Sequence, residues 1–157
     1  MFKIHGRSKS DYATNPDDRR SISGGRVFAN CRPICFRSVT QKFVTLSVTE
    51  AEIAAGVMVA QDMLYVYRLL ESLDLKVKLP MVLEMDNSGA VDIANSWSVG
   101  GRTRFVDVRN YFLCKLKDQG LFVIKHIAGD DEYMNTNGPD LSGEAVGNQI
   151  RSNLEQG

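Results

Sequence analysis

TLSVTEAEIAAGVMVAQDMLYVYRLLESLDL, from Thr45 to Leu75, holds the longest helical run in the chain, entered from a short strand pattern. Ser47 and Thr49 carry hydroxyls suited to capping a helix, and Glu50 and Glu52 fall in the first turn, where exposed N–H groups and the helix dipole favour negative charge. From Ala51 to Leu73 nearly every residue is apolar, broken by Gly56, Gln61, Asp62, Arg68, Glu71 and Ser72. A helix apolar on most sides must be covered on most of its surface. Its interrupting charges make it a central packing helix, whose Tyr65 and Tyr67 are expected to be buried against the sheet, and not a membrane span.

Working back toward the N-terminus, residues 43–47 (FVTLS) read as a strand, and 26–31 (RVFANC) and 34–39 (ICFRSV) as two antiparallel strands around a turn at Arg32 and Pro33. NPDDRRSISGG before them is a connector opened by Asn15-Pro16 and closed by Gly24 and Gly25. Residues 2–12 alternate weakly and form a first strand, although Gly6 and the serines make it a poor one by local preference.

Toward the C-terminus, MVLEMD (81–86) is a strand ending at Asp86. Asn87, Ser88 and Gly89 then offer a cap for a short helix, AVDIANSW. Residues 103–120 place Phe105, Val108, Phe112, Leu113 and Leu116 at helical spacing with a glycine stop at 120, and LFVIKHI (121–127) is a last strand. From residue 130 the chain turns polar and rich in Gly and Asn, so 1–129 reads as the domain and 130–157 as a loose tail. The sum is a mixed sheet with helices against it, an α/β (α+β) arrangement.

At 157 residues the chain is one domain with room for a real core. Acids and bases balance at nineteen each, so overall charge attracts neither nucleic acid nor membrane. The distribution is less even: residues 1–42 hold nine Lys or Arg against three Asp and no Glu, a local charge of +6. Such a surface meets phosphate or is simply a solvated sheet face. Three cysteines and two histidines build no zinc spacing. Unpaired thiols and a start without signal-peptide character fit an intracellular setting, cytoplasm or nucleus.

Asp86 stands at the carboxyl end of a strand, where sites gather in open α/β sheets, and Glu50 begins a helix that also follows a strand. Two neighbouring carboxylates call for a cation, and a hard divalent metal is the natural one. The plainer alternative makes Glu50 a helix-start charge and Asp86 a helix cap.

DYATNPDDRRSISG, PICFRSVTQKFVTLSVTEAE, MDNSGAV and GGRTRFVDVRNYFLCKLKDQG, in this order and spacing, closely resemble the ribonuclease H domain of copia-type LTR retrotransposon polyproteins, over roughly residues 5–129. The resemblance implies a five-stranded mixed sheet with helices on both faces. It also implies a hydrolase that cuts the RNA strand of an RNA–DNA hybrid with Mg2+ or Mn2+ held by four acids. Carried over residue by residue, the helix carboxylate is Glu50 and the strand-end carboxylate Asp86. The other two positions depart from the pattern. Lys9 stands where the first acid belongs, leaving Asp11, two residues on, as its substitute. Asn135 stands where the fourth belongs, with Asp131 as the nearest metal-ligating replacement. Phe105 and Cys114 replace a histidine and a basic residue of the family.

Three readings follow: a catalytically impaired domain that binds hybrid or other nucleic acid; an active two-metal ribonuclease using Glu50, Asp86, Asp11 and Asp131; or a host-adapted protein-interaction domain. For the first, the candidate phosphate contacts are Arg19, Arg20, Arg26, Arg32, Arg37, Lys42, Arg102 and Arg104.

Overall fold

A computed structural model describes residues 1–96 and 108–127 of the chain. Its elements run β1 (Ile4–Asp11), β2 (Ile22–Ala29), β3 (Arg32–Thr40), α1 (Val48–Ser72), β4 (Met81–Met85), α2 (Ser88–Ser96), α3 (Val108–Asp118) and β5 (Phe122–His126). The strands make one mixed sheet in the order β3-β2-β1-β4-β5. β1 pairs antiparallel with β2, and β2 with β3. β1 pairs parallel with β4, and β4 with β5.

The weak strand propensity of β1 has a steric cause. Its buried side chains are Ile4, Gly6, Ser8 and Ser10, alternating with half-open His5, Arg7 and Lys9. α1 crosses this face closely: a Cβ at Gly6 would lie 2.5 Å from Met63 Sδ and 2.6 Å from Val59 Cγ1. Small residues are the condition of that approach, and they outweigh local preference. The core continues through Val27, Met81, Leu83, Met85, Leu113, Phe122 and Ile124. All three helices pack together over this face. A helix on the opposite face, which the resemblance leads one to expect, would have to come from outside the described residues, where the expected tail 130–157, Trp97, Arg102, Arg104, Asp131 and Asn135 also lie.

Two strand expectations are corrected. Residues 43–47 form no strand. Thr45 is the buried residue there, its hydroxyl 3.0 Å from that of Ser21, while Val44 and Leu46 are exposed. The segment thus turns a hydroxyl, and no apolar row, toward the interior as it climbs from the sheet edge to α1. The β2–β3 turn lies at Asn30-Cys31, two residues earlier than read. Both have positive φ (49° and 66°), the two-residue geometry whose twist matches a hairpin and which asparagine tolerates. Pro33 instead sits within β3, an outer strand where a missing N–H is harmless.

α1 passes the length and composition test for a membrane span, yet it lies on the sheet as the core helix. Its buried residues all fall between Ala51 and Met63. Beyond them the helix is covered on one side, where Leu64, Val66, Tyr67 and Leu70 pack against the core. Tyr65 is therefore 69% exposed, contrary to expectation, and Tyr67, half-buried, donates its hydroxyl to Glu71.

Candidate active site at the strand ends

β1 and β4 run parallel, so both deliver their carboxyl ends to the same edge of the sheet, where α1 also begins. Asp86 follows β4 directly. The cap of α2 is Asn87, whose Oδ1 accepts from Ala90 N at 2.9 Å, so the Asp86 carboxylate is not occupied by capping. Its backbone oxygen lies 3.1 Å from His126 Nε2, which fixes the strand end against β5.

The carboxylate that α1 presents to Asp86 is Glu52, not Glu50. Ser47 caps the helix by accepting from Glu50 N at 3.1 Å, and Glu50 Oε2 turns back to accept from Leu46 N at 2.7 Å. This is a variant of the Ser-x-x-Glu capping box, in which the carboxylate takes the N–H one residue before the cap. Glu52, two residues on, points inward and is 3% exposed. Its Oε1 accepts from Ser10 N at 2.7 Å and from Ser10 Oγ at 3.1 Å, tying α1 to β1. Its Oε2 is buried with no hydrogen-bond partner among the described residues. Burial, and then the negative charge of Asp86, push the Glu52 carboxyl above its usual range, against the Ser10 hydrogen bonds and the Lys9 charge. The sequence did carry a signal for this exchange. Ser47-x-x-Glu50 is a capping box, which commits Glu50 to the helix end and leaves Glu52 as the inward acid.

Lys9 completes the group. It stands on β1 beside Ser10, and its Nζ is 3.9 Å from Asp86 Oδ2, with both side chains about a third exposed (30% and 28%). Asp11, two residues further on the same face, is exposed at the strand end; alternation puts it about 6.5–7 Å beyond Lys9. Among the described residues no three His, Cys, Asp or Glu side chains come together as a metal site. The described residues therefore do not fit a pair of divalent metals: two carboxylates share the place with an ammonium, and one of them is already engaged by Ser10. Asp131 and Asn135 lie outside the described residues.

The basic residues are dispersed. Arg19, with positive φ, and Arg20 belong to the loop after β1, on the site's side of the sheet, and Lys42 follows β3 at the same end. Arg20 is paired with Asp18 at 3.1 Å. Arg26 lies mid-strand with its guanidinium 5.4 Å from the Phe36 ring centroid, and Arg37 binds Asp62 of α1 at 2.9 Å. Arg32 begins β3 at the far end of the sheet. The structure thus puts Arg19, Arg20 and Lys42 at the same end of the sheet as the site and Arg32 at the other end. Arg102 and Arg104 lie outside the described residues.

No protein-family model matches the chain. It is 31% identical over 123 residues to the retrovirus-related Pol polyprotein from transposon TNT 1-94 of Nicotiana tabacum, covering 78% of this chain and 9% of that protein. It is 28% identical over 147 residues to the Pol polyprotein from transposon RE1 of Arabidopsis thaliana, covering 94% of this chain and 10% of that one. The chain thus spans about a tenth of the curated relatives it matches. Among solved structures it superposes on LC11-RNase H1, isolated from compost, with a TM-score of 0.61 at 17% identity, covering 85% of this chain and 90% of that one. LC11-RNase H1 in complex with an RNA/DNA hybrid gives a TM-score of 0.57 at 14% identity over 94% and 99% of the two chains. The sheet order, the position of α1 and these comparisons agree: the chain has a ribonuclease H-like fold and is similar to a stretch of retrovirus-related Pol polyproteins from plant transposons.

Proposed function

We propose that this domain binds RNA–DNA hybrid at the carboxyl ends of β1 and β4 without cleaving it efficiently. The observation that carries the reading is the Lys9–Asp86 pair at 3.9 Å. Hydrolysis by a metal pair needs carboxylates that concentrate positive charge around the reacting phosphate. Here a side-chain cation stands 3.9 Å from Asp86 and acts on the charge of Glu52, and placing a divalent ion beside an ammonium adds repulsion at close range. What survives is a scaffold that presents a strand-end surface and loop cations to a backbone. A protein of the same fold is seen with an RNA/DNA hybrid bound, which supports the choice of ligand. Recognition in this setting depends on the shape and 2′-hydroxyls of the duplex and little on base sequence. All three cysteines are free thiols, in keeping with an intracellular, reducing location.

Cleavage and binding of an end-labelled hybrid, measured together in Mg2+ and in Mn2+, test this. Binding that weakens steeply with salt, with no cleavage above that of a Glu52→Gln, Asp86→Asn control, is the expected result. Cleavage lost in that control would establish an active enzyme instead. A protein-interaction role has one observation in its favour, the exposed row Tyr65, Leu69 and Leu73 on the second half of α1 (69%, 47% and 61%). Absence of hybrid binding at physiological salt would turn attention to that row.

A further inference from the structure

Resting on the hybrid-binding reading, we propose that Lys9 acts as a built-in cation that receives a backbone phosphate at the strand-end site, so that hybrid binding is independent of divalent metal. A site made of carboxylates alone repels phosphate until a cation enters it. This site differs in its charge balance. Among the described residues, Glu52 is turned inward onto Ser10, Asp86 keeps partial solvent access with Lys9 against it, and Asp11 is exposed further along β1.

Geometry permits the ammonium to serve two oxygens. Its 3.9 Å separation from Asp86 Oδ2 is a charge contact, longer than the roughly 2.7–2.9 Å of a charge-assisted hydrogen bond. Two residues earlier on the same face, Arg7 is locked on Glu84 at 2.5 Å. A lysine head group is a compact charge on a flexible stem with rotatable donors, suited to meeting a phosphate while remaining near Asp86. The sites of lower exposure beside it, Ser10 and Glu52, hold the strand under Lys9 in place.

The test is fluorescence anisotropy of a labelled hybrid with the whole 157-residue chain, in EDTA and in MgCl2 at matched ionic strength. The native chain is expected to bind equally in both, within about twofold. Lys9→Met should weaken binding about five- to tenfold and make the salt slope shallower by about one unit, the loss of one phosphate contact. Lys9→Asp should bind more weakly still in EDTA and recover when Mg2+ is supplied, because it restores a purely acidic site. Lys9→Arg keeps the charge and should retain binding, which separates a charge effect from damage to β1. Native binding that collapses in EDTA would overturn the proposal, as would Lys9→Met with unchanged affinity and slope. If the native chain binds no hybrid in either buffer, the hybrid-binding reading itself fails and this one with it.

Discussion

The two faces of β1 show how differently the parts of one strand are constrained. Ile4, Gly6, Ser8 and Ser10 lie beneath α1, and what matters on that side is size. His5, Arg7 and Lys9 lie on the half-open side, and what matters there is charge: His5 stacks on Phe28 with ring centroids 4.5 Å apart, while Arg7 and Lys9 meet Glu84 and Asp86. A change of residue on the first side alters whether the chain folds. A change on the second alters what the folded chain can bind. The Lys9 site is of the second kind: an acid-to-amine exchange there leaves the packing of Gly6 against Met63 untouched.

The harshest way to break this contrast is Gly6→Leu. The new side chain would start at a Cβ already within 2.6 Å of Val59 and Met63, and neither can retreat through a packed sheet–helix layer. We expect a loss of about 3 kcal/mol, at the upper end of overpacking costs, read as a shift of the urea midpoint. Lys9→Met, three residues along on the other face, should move that midpoint little. Equal losses at the two positions would mean that the faces are not separable.

Glu52→Gln sharpens the comparison, because Glu52 belongs to the packed side yet carries the chemistry of the other. The amide keeps an oxygen for Ser10 N and Oγ and removes a charge that burial disfavours, so stability at neutral pH should rise by about 1–2 kcal/mol, the scale on which burying a polar group costs stability. The pH dependence follows from the raised carboxyl. Between the unfolded value near 4.5 and the higher folded one, the folded chain holds more protons than the unfolded chain. Stability contributed by Glu52 is thus present below that window and falls as pH rises through it. The variant should remove that fall, and denaturation at a series of pH values would show an unchanged slope if Glu52 is not its source.

Much of this was legible in the sequence, and the reasons it was or was not are physical. α1, β4 and β5 were readable because apolar periodicity and the Asn87 and Gly120 boundaries reflect burial and capping directly. The mis-assigned strand at 43–47 has the right residue types, but its inward residue is a hydroxyl partnered by Ser21, a long-range fact. The β2–β3 turn was misplaced because Pro33 drew the reading toward itself, although Asn30 is the better residue for positive φ. At the site, strand-end placement points to Asp86 and the resemblance to Lys9, and the structure puts their side chains 3.9 Å apart. The helix acid was shifted by two because Glu50 and Glu52 are the same residue type two positions apart on one helix turn, and only the capping pattern Ser47-x-x-Glu50 separates them.

That distinction makes a smaller prediction. Ser47→Ala removes the acceptor for Glu50 N and should cost about 1 kcal/mol, the ordinary loss of a helix cap, with no change in hybrid affinity. Glu50→Gln should cost less than that and also leave affinity unchanged. Hybrid affinity that changes with Glu50 and not with Glu52 would reverse the assignment of the inward acid.

The smallest effect is expected at Arg37. Its guanidinium reaches Asp62 of α1 at 2.9 Å, with side-chain exposures of 46% and 20%. Exposed ion pairs are screened and contribute about 0.2–1 kcal/mol, so Arg37→Ala should shift the urea midpoint near the limit of detection. Because Arg37 is engaged by α1 on the helix side of the sheet, it should also contribute less to hybrid binding than Arg19 or Lys42 at the site end. A salt-dependent affinity loss for Arg37→Ala as large as for Lys42→Ala would mean that the duplex runs along β3 and not across the ends of β1 and β4, and the contrast between the two faces would have to be redrawn around that outer strand.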